Sequence, residues 1–198
     1  MSGQFDAAMQ VLGSAPSFDV ARDARGAPSS DGLLVRRGLT RIFLERGDAA
    51  GAFAMLPPIQ ADPDTKFPFD EYLLRGEVLC AVGRRTEGLS SLTKSLEQHA
   101  GTDYENSPDL ARARAVTGLC AYSNGQREWA AKLAALSSAA LAAQPGVSRY
   151  YQLPLVQLEA QLQQSRDRRD VRIDRARRAT RRGQGAAARG DAAQLESG

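Results

Sequence analysis

Apolar residues recur at spacings of three and four from Phe5 to Leu162, and this spacing predicts amphipathic helices rather than strands. The stripes are interrupted by stretches rich in Gly, Pro and Ser, which are typical of turns and loops. The pattern predicts one leading helix, three helical hairpins and one trailing helix. The predicted helices span Phe5–Leu12, Asp31–Gly47, Asp48–Pro57, Asp70–Gly83, Thr86–Gln98, Ser107–Gly125 and Trp129–Pro145, with a last one beginning near Pro154.

A short phrase of sequence recurs at the turns. Gly3, Gly47, Gly83 and Gly125 are each followed by a small residue five positions on and an apolar residue nine positions on. The glycines lie 44, 36 and 42 residues apart. A repeat of about 34–47 residues is typical of helical hairpins that stack side by side. The repeat predicts an all-α chain in which each hairpin buries its apolar face against its neighbours.

These copies resemble the tetratricopeptide repeat (TPR) family of helical hairpins. Gly76 and Gly118 lie seven residues before Gly83 and Gly125, where the family has an inner Gly, and Tyr72 lies where it prefers Trp. Thr40 replaces the inner Gly in the first hairpin. The resemblance covers about residues 3–145. It implies a right-handed stack of antiparallel hairpins over residues 1–164, serving as a non-catalytic protein-interaction module, as in large bacterial signalling proteins.

The resemblance also implies a binding groove, because the first helices of successive hairpins line a concave surface in that family. By register the groove residues that are not needed for packing are Arg37, Arg41, Glu77, Arg112 and Tyr122. Arg binds carboxylates with two parallel hydrogen bonds. We therefore expect the partner to be a protein or peptide with some acidic character. The Asn positions of the family's chaperone-binding members are occupied here by Arg41, Glu77 and Leu119, so that activity is not expected.

The charge of the chain is concentrated at its end. Residues 165–198 hold ten Arg and five acidic residues, whereas the whole chain has a net charge of only +3. One interpretation is a solvated extension of the last helix followed by a disordered segment. The alternative is a nucleic-acid-associated accessory protein that binds through this tail. Its candidate contacts are Arg168, Arg169, Arg172, Arg175 and Arg178.

Catalytic and metal-binding patterns are missing from the sequence. The single histidine, His99, and the two cysteines, Cys80 and Cys120, cannot supply a metal site of the usual composition. Acidic pairs fall at loops and helix starts, where carboxylates cap backbone amides. We therefore expect no enzymatic activity, no cofactor and no metal. Both cysteines are expected to be buried and reduced, and the lack of a signal peptide or membrane span predicts a cytoplasmic protein.

The first copy of the phrase supplies only the second helix of a hairpin. Two interpretations stay open: the chain is the C-terminal part of a longer protein, or residues 1–16 simply cap the stack. In the first case Phe5, Met9 and Leu12 would present an apolar patch to a further domain. The sequence predicts neither the identity of the partner nor the oligomeric state.

Overall fold

A computed structural model describes residues 30–56, 68–101 and 104–169, and every regular element in these ranges is an α-helix. The predicted helix over 5–12 lies outside the described residues, as do residues 13–29 of the loop predicted over 13–30 and residues 60–67 of the loop predicted over 60–69. The last residues of both predicted loops are helical, because α1 begins at Ser30 and α3 at Pro68. The helices are α1 (Ser30–Glu45), α2 (Ala49–Met55), α3 (Pro68–Ala81), α4 (Arg85–Glu97), α5 (Pro108–Ser123), α6 (Arg127–Ala142) and α7 (149–169). The all-α prediction is confirmed for this part of the chain.

The turns α1–α2, α3–α4 and α5–α6 are the same structure three times. Each is centred on a glycine with positive φ, at Gly47 (76°), Gly83 (85°) and Gly125 (82°). In each, the Gly N–H donates to the carbonyl three residues before it, and the next N–H donates to the carbonyl five residues before its own position. This pair of bonds is the Schellman motif, which favours Gly because other residues adopt positive φ poorly. The recurring phrase therefore marks a recurring turn.

Two of the predicted helix starts have the expected side-chain caps. The Asp48 carboxylate accepts a hydrogen bond from the Gly51 N–H at 2.8 Å, and the Ser107 hydroxyl accepts one from the Leu110 N–H at 3.2 Å. Both caps agree with the prediction from sequence. Other starts were predicted too late. α3 begins at Pro68 rather than Asp70, and α7 begins at residue 149, where the hydroxyl of Ser148 accepts from the Tyr150 N–H.

Consecutive helices pair as α1–α2, α3–α4 and α5–α6, and the pairs also contact each other. α3 touches α1, α2 and α5, and α4 packs along α5. α7 packs on α5, where a Cβ at Gly118 would collide with Leu158. The main core cluster draws its members from α3 to α7. Its larger side chains are Leu73, Leu89, Leu92, Leu110, Val116, Leu141, Leu155 and Leu158.

The two cysteines are joined, which corrects the prediction of reduced thiols. Cys80 at the end of α3 and Cys120 in α5 form a disulfide, with their Cα atoms 5.8 Å apart. The sequence predicted two separate thiols because forty residues separate them and each lies within a helical stripe. What brings them together is the packing of α3 against α5. Because disulfides are typical of oxidising compartments, the predicted cytoplasmic location stays a prediction.

Among the described helices, none combines the length and the apolar character that crossing a bilayer requires.

Candidate functional site

Three of the predicted groove residues meet in one ion-pair cluster. The Glu77 carboxylate of α3 accepts a hydrogen bond from Arg112 Nη2 of α5 at 2.9 Å and another from Arg41 Nη1 of α1. Each residue comes from the first helix of a different hairpin. The cluster therefore links the three hairpins along one side of the molecule.

Arg112 is the most deeply buried member of this cluster. Only 3% of its surface is exposed, and the Tyr150 ring of α7 lies over its guanidinium, 4.6 Å from Cζ to the ring centroid. A cation over an aromatic face is stabilised by the ring quadrupole. Arg112 Nε and Nη1 are also buried, and no acceptor lies within hydrogen-bonding distance of either. Within the described residues, the buried positive charge of Arg112 is therefore stabilised by the Glu77 carboxylate and the Tyr150 ring.

The ionisation of the cluster follows from its geometry. Burial raises the pKa of Glu77, but attraction to Arg41 and Arg112 and their hydrogen bonds outweigh burial, so the pKa lies below its usual value. For Arg41, burial lowers the pKa and the Glu77 carboxylate raises it, with a net increase. Glu77 and Arg41 are therefore charged at neutral pH, and the formal charges of the three residues sum to +1.

A second ion pair extends this cluster along α1 and α3. Arg37, one turn before Arg41, donates to the Glu71 carboxylate from Nη2 at 3.1 Å and from Nε at 3.4 Å. The four charged residues that the sequence placed in a groove are therefore brought together. However, each guanidinium already has a carboxylate partner within the chain, which the prediction did not foresee.

Tyr122 lies apart from these four residues. It sits near the end of α5, where its hydroxyl shares a hydrogen bond with the Ser165 hydroxyl of α7 and Arg127 lies over its ring at 5.9 Å. The tail candidates Arg168 and Arg169 are exposed at the end of α7. Arg172, Arg175 and Arg178 lie outside the described residues.

Two contributors were missed from sequence. Glu71 and Tyr150 belong to the same set of contacts as the predicted residues. Glu71 is one of several acidic residues at helix starts, which favours a capping interpretation. Tyr150 was not predicted to belong to a helix, because α7 was predicted to begin near Pro154. A Tyr-Tyr pair before an amphipathic stripe is the only signal that could have suggested an extension.

The arrangement favours binding rather than proton transfer. A general acid or base works best with a pKa near the working pH, whereas the pKa of Glu77 moves away from neutrality. In the part of the chain that the structure describes, no three His, Cys, Asp or Glu side chains gather as metal ligands would. Guanidinium groups beside an exposed aromatic ring are suited to holding a carboxylate against an apolar residue.

No family model matches the chain, and no curated protein or solved structure is significantly similar to it. The resemblance to TPR hairpins therefore stays a prediction from sequence.

Proposed function

We propose that this chain is a non-catalytic protein-interaction module, built as a right-handed TPR-like stack of helical hairpins. The proposal rests on one observation: α1, α3 and α5 meet on one side through Arg41, Glu77 and Arg112. Binding surfaces of helical-repeat proteins are formed by equivalent helices of successive repeats. We further propose that the module is the docking or sensing part of a cytoplasmic bacterial regulatory protein.

The proposed stack is supported by repetition in the backbone. Three hairpins share the same Schellman turn, and the first helix of the second hairpin touches the first helices of both neighbours. The α2–α3 and α4–α5 contacts also join successive hairpins. On the side of α1, α3 and α5, the proposed partner would contact the partly exposed side chains of Arg37 and Arg41 and the exposed ring of Tyr150.

The proposed partner is an acidic peptide segment that also carries an apolar residue. Arg37 and Arg41 remain partly exposed beside their carboxylates, and with the buried Arg112 they outnumber the two carboxylates Glu71 and Glu77. Tyr150 is 44% exposed above Arg112 and offers an aromatic face. Aromatic and Arg residues at the centre of a surface contribute most of the binding energy in typical interfaces.

The test must change the surface charge without breaking the buried cluster. Replacing all three arginines by Glu would leave five carboxylates together and would unfold the protein. The double variant Arg37→Glu with Glu71→Arg can still form the ion pair, but the negative charge then lies on α1 and the positive charge on α3. Tyr150→Ala removes the aromatic face. Fluorescence anisotropy with labelled peptides of equal length and acidic, neutral or basic composition measures binding.

We expect the wild-type chain to bind acidic peptides best, and both variants to weaken that binding at least tenfold. Lys132→Glu, on the exposed face of α6, is the matched control and should bind like the wild type. Circular dichroism melts verify that each variant folds. Equal affinity for the three peptide classes, or unchanged binding in both folded variants, would contradict the proposal.

A second candidate function concerns the end of α7. Arg166, Arg168 and Arg169 are exposed on its last turns, and they begin the Arg-rich tail. Such a cluster can bind nucleic acid through phosphates. Deletion of residues 170–198 leaves the described part of α7 intact. Loss of salt-sensitive oligonucleotide binding in this variant, with peptide binding unchanged, would favour the tail as a separate nucleic-acid contact.

A further inference from the structure

A pocket of about 670 Å³ lies on the other side of α3 from the Glu77 cluster. Tyr72, Arg75 and Leu79 form its floor at helical spacing. Glu77 lies five residues beyond Tyr72, which places it about 140° around the helix. The pocket and the proposed peptide groove are therefore separate surfaces of the same helix.

The two second helices that border the pocket differ in length. α2 spans only Ala49–Met55, about 10 Å, whereas α4 spans Arg85–Glu97, about 20 Å. The end of α2 lies beside the start of α4, because Arg84 lies 5.4 Å over the Phe53 ring. The pocket extends from there along α4 as far as Lys94.

Apolar side chains form one part of the lining. Phe53 and Leu56 come from the end of α2, and Tyr72 and Leu79 come from α3. Phe53 is 38% exposed, which is high for an aromatic residue at a junction of three helices. A volume of this size is within the range of small-molecule sites, about 300–1,000 Å³. The lining can therefore accept an alkyl chain or an aromatic ring.

Cationic side chains form the other part. The lining includes Arg75, Arg84 and Lys94 and one carboxylate, Glu87, so the formal charges of these side chains sum to +2. Arg84 donates to Glu87 from Nε at 2.8 Å and lies 5.4 Å over the Phe53 ring, and Lys94 lies 5.7 Å over the Tyr72 ring. Positive charge therefore stands directly beside apolar surface at both ends of the pocket.

From this combination we infer that the pocket binds a small organic anion with an apolar body, of the class of a medium-chain carboxylate. The carboxylate pairs with Lys94, because Arg84 at the other end of the pocket is already bound to Glu87, and the chain packs against Phe53, Leu56 and Leu79. The ligand does not depend on the proposed peptide groove, because its contacts lie on the opposite side of α3.

Isothermal titration calorimetry of the full chain with decanoate, below its micelle concentration, tests this inference. We expect saturable binding with one site, and at least tenfold weaker binding of decanol, which has the same chain without the charge. Lys94→Gln should weaken decanoate at least tenfold and leave decanol unchanged. Lys132→Gln on α6 is the charge control and should bind decanoate like the wild type.

A variant that fills the pocket distinguishes decanoate binding in the pocket from decanoate binding to apolar surface elsewhere on the protein. Ser90→Trp places an indole in the pocket from an exposed position of α4 and should abolish binding. Ser138→Trp, at an exposed position of α6, is its matched control and should not change binding.

Two results would overturn the inference. One is absence of saturable decanoate binding to the wild-type chain. The other is binding that persists in the folded Ser90→Trp variant. If the wild-type chain does not bind decanoate but a variant with Asp62→Asn and Asp64→Asn does, the first of these results would assign the pocket to the chain's own segment 57–67.

Discussion

The first and second hairpins share a turn but differ in how closely their helices meet. Both turns have a glycine with positive φ and the same two hydrogen bonds. In the second hairpin, a Cβ on Gly76 would lie 2.5 Å from Leu92 Cγ and 2.9 Å from the Gly88 carbonyl oxygen. In the first, the equivalent position is Thr40, whose hydroxyl donates to the Arg36 carbonyl at 2.8 Å. The turn therefore sets the direction of the chain, and the residue at the crossing sets how close the helices come.

The length of the second helix adds to this difference. α4 is long enough to bring Leu92 into the core with no exposed surface, whereas α2 ends after Met55 and leaves Phe53 partly exposed. Regions with few buried apolar contacts open at lower free energy. We therefore expect α1–α2 to be the weaker hairpin, and α3–α4 to be part of the stable centre.

The largest test of this comparison exchanges an apolar side chain for Ala in each hairpin. Leu92→Ala should lower the free energy of unfolding by about 2–5 kcal/mol, because it leaves a cavity in the core. Phe53→Ala should cost less than about 1.5 kcal/mol, since much of that ring already contacts water. Urea unfolding measures both values. Similar losses in the two variants would contradict the difference between the hairpins.

The disulfide gives the second test, because Cys80 binds the second hairpin covalently to α5. Cys80→Ser with Cys120→Ser should lower the free energy of unfolding by about 2–4 kcal/mol, as expected for opening a loop of this size. The loop spans forty residues. Urea unfolding with and without reductant provides the measurement. A wild-type chain whose stability is insensitive to reductant would argue that the bond does not form.

Glu77, where the first and second hairpins meet, gives a pH-dependent effect. Glu77→Gln should cost about 1.5–3 kcal/mol at neutral pH, because Arg112 loses its charged partner. The folded-state pKa of Glu77 is lowered from its ordinary 4.5, so its contribution is complete above that pH and disappears as the pH falls through the folded pKa. The variant should thus lose less stability on acidification than the wild type. The exposed Glu97→Gln should leave stability at neutral pH within about 0.5 kcal/mol of the wild type.

One glycine from each hairpin, Gly38 and Gly76, gives a comparison in which the changes in stability are small but opposite in sign. Gly76→Ala should cost about 1–3 kcal/mol, because its Cβ meets the Gly88 backbone. A Cβ at Gly38 in α1 meets nothing within 4 Å. Gly38→Ala should therefore stabilise the protein by up to about 1 kcal/mol, since Ala favours the helix. Thermal melts of the two variants should shift in opposite directions.

Local signals predicted much of the described backbone. Three helix ends were recognisable from sequence, because glycine adopts positive φ more readily than other residues. They lie at Gly47, Gly83 and Gly125. Ser107 followed by Pro108 identified a helix start. The start of α3 was misplaced because Pro68 was assigned to a loop, although Pro is common at the first position of a helix. The start of α7 was misplaced because the cap at Ser148 was not recognised.

The site was predictable only in part. Register alone brought Arg41, Glu77 and Arg112 to the same side, because equivalent positions of successive hairpins face the same way. Their pairing was not predictable from sequence, since it depends on the distances from α3 to α1 and from α3 to α5 in the folded protein. The Cys80–Cys120 bond has the same origin: the packing of α3 on α5 decides it, and no local pattern of residues encodes it.

The crosslink between α3 and α5 also determines how this chain would respond to a pulling force. Tension applied at the two ends would pass through the covalent bridge and would leave the 39 residues between the cysteines unstretched. Full extension would be shorter by about 130 Å than for the reduced chain. α4, the connection to α5 and most of α5 would then form a mechanically shielded loop that lengthens only after reduction.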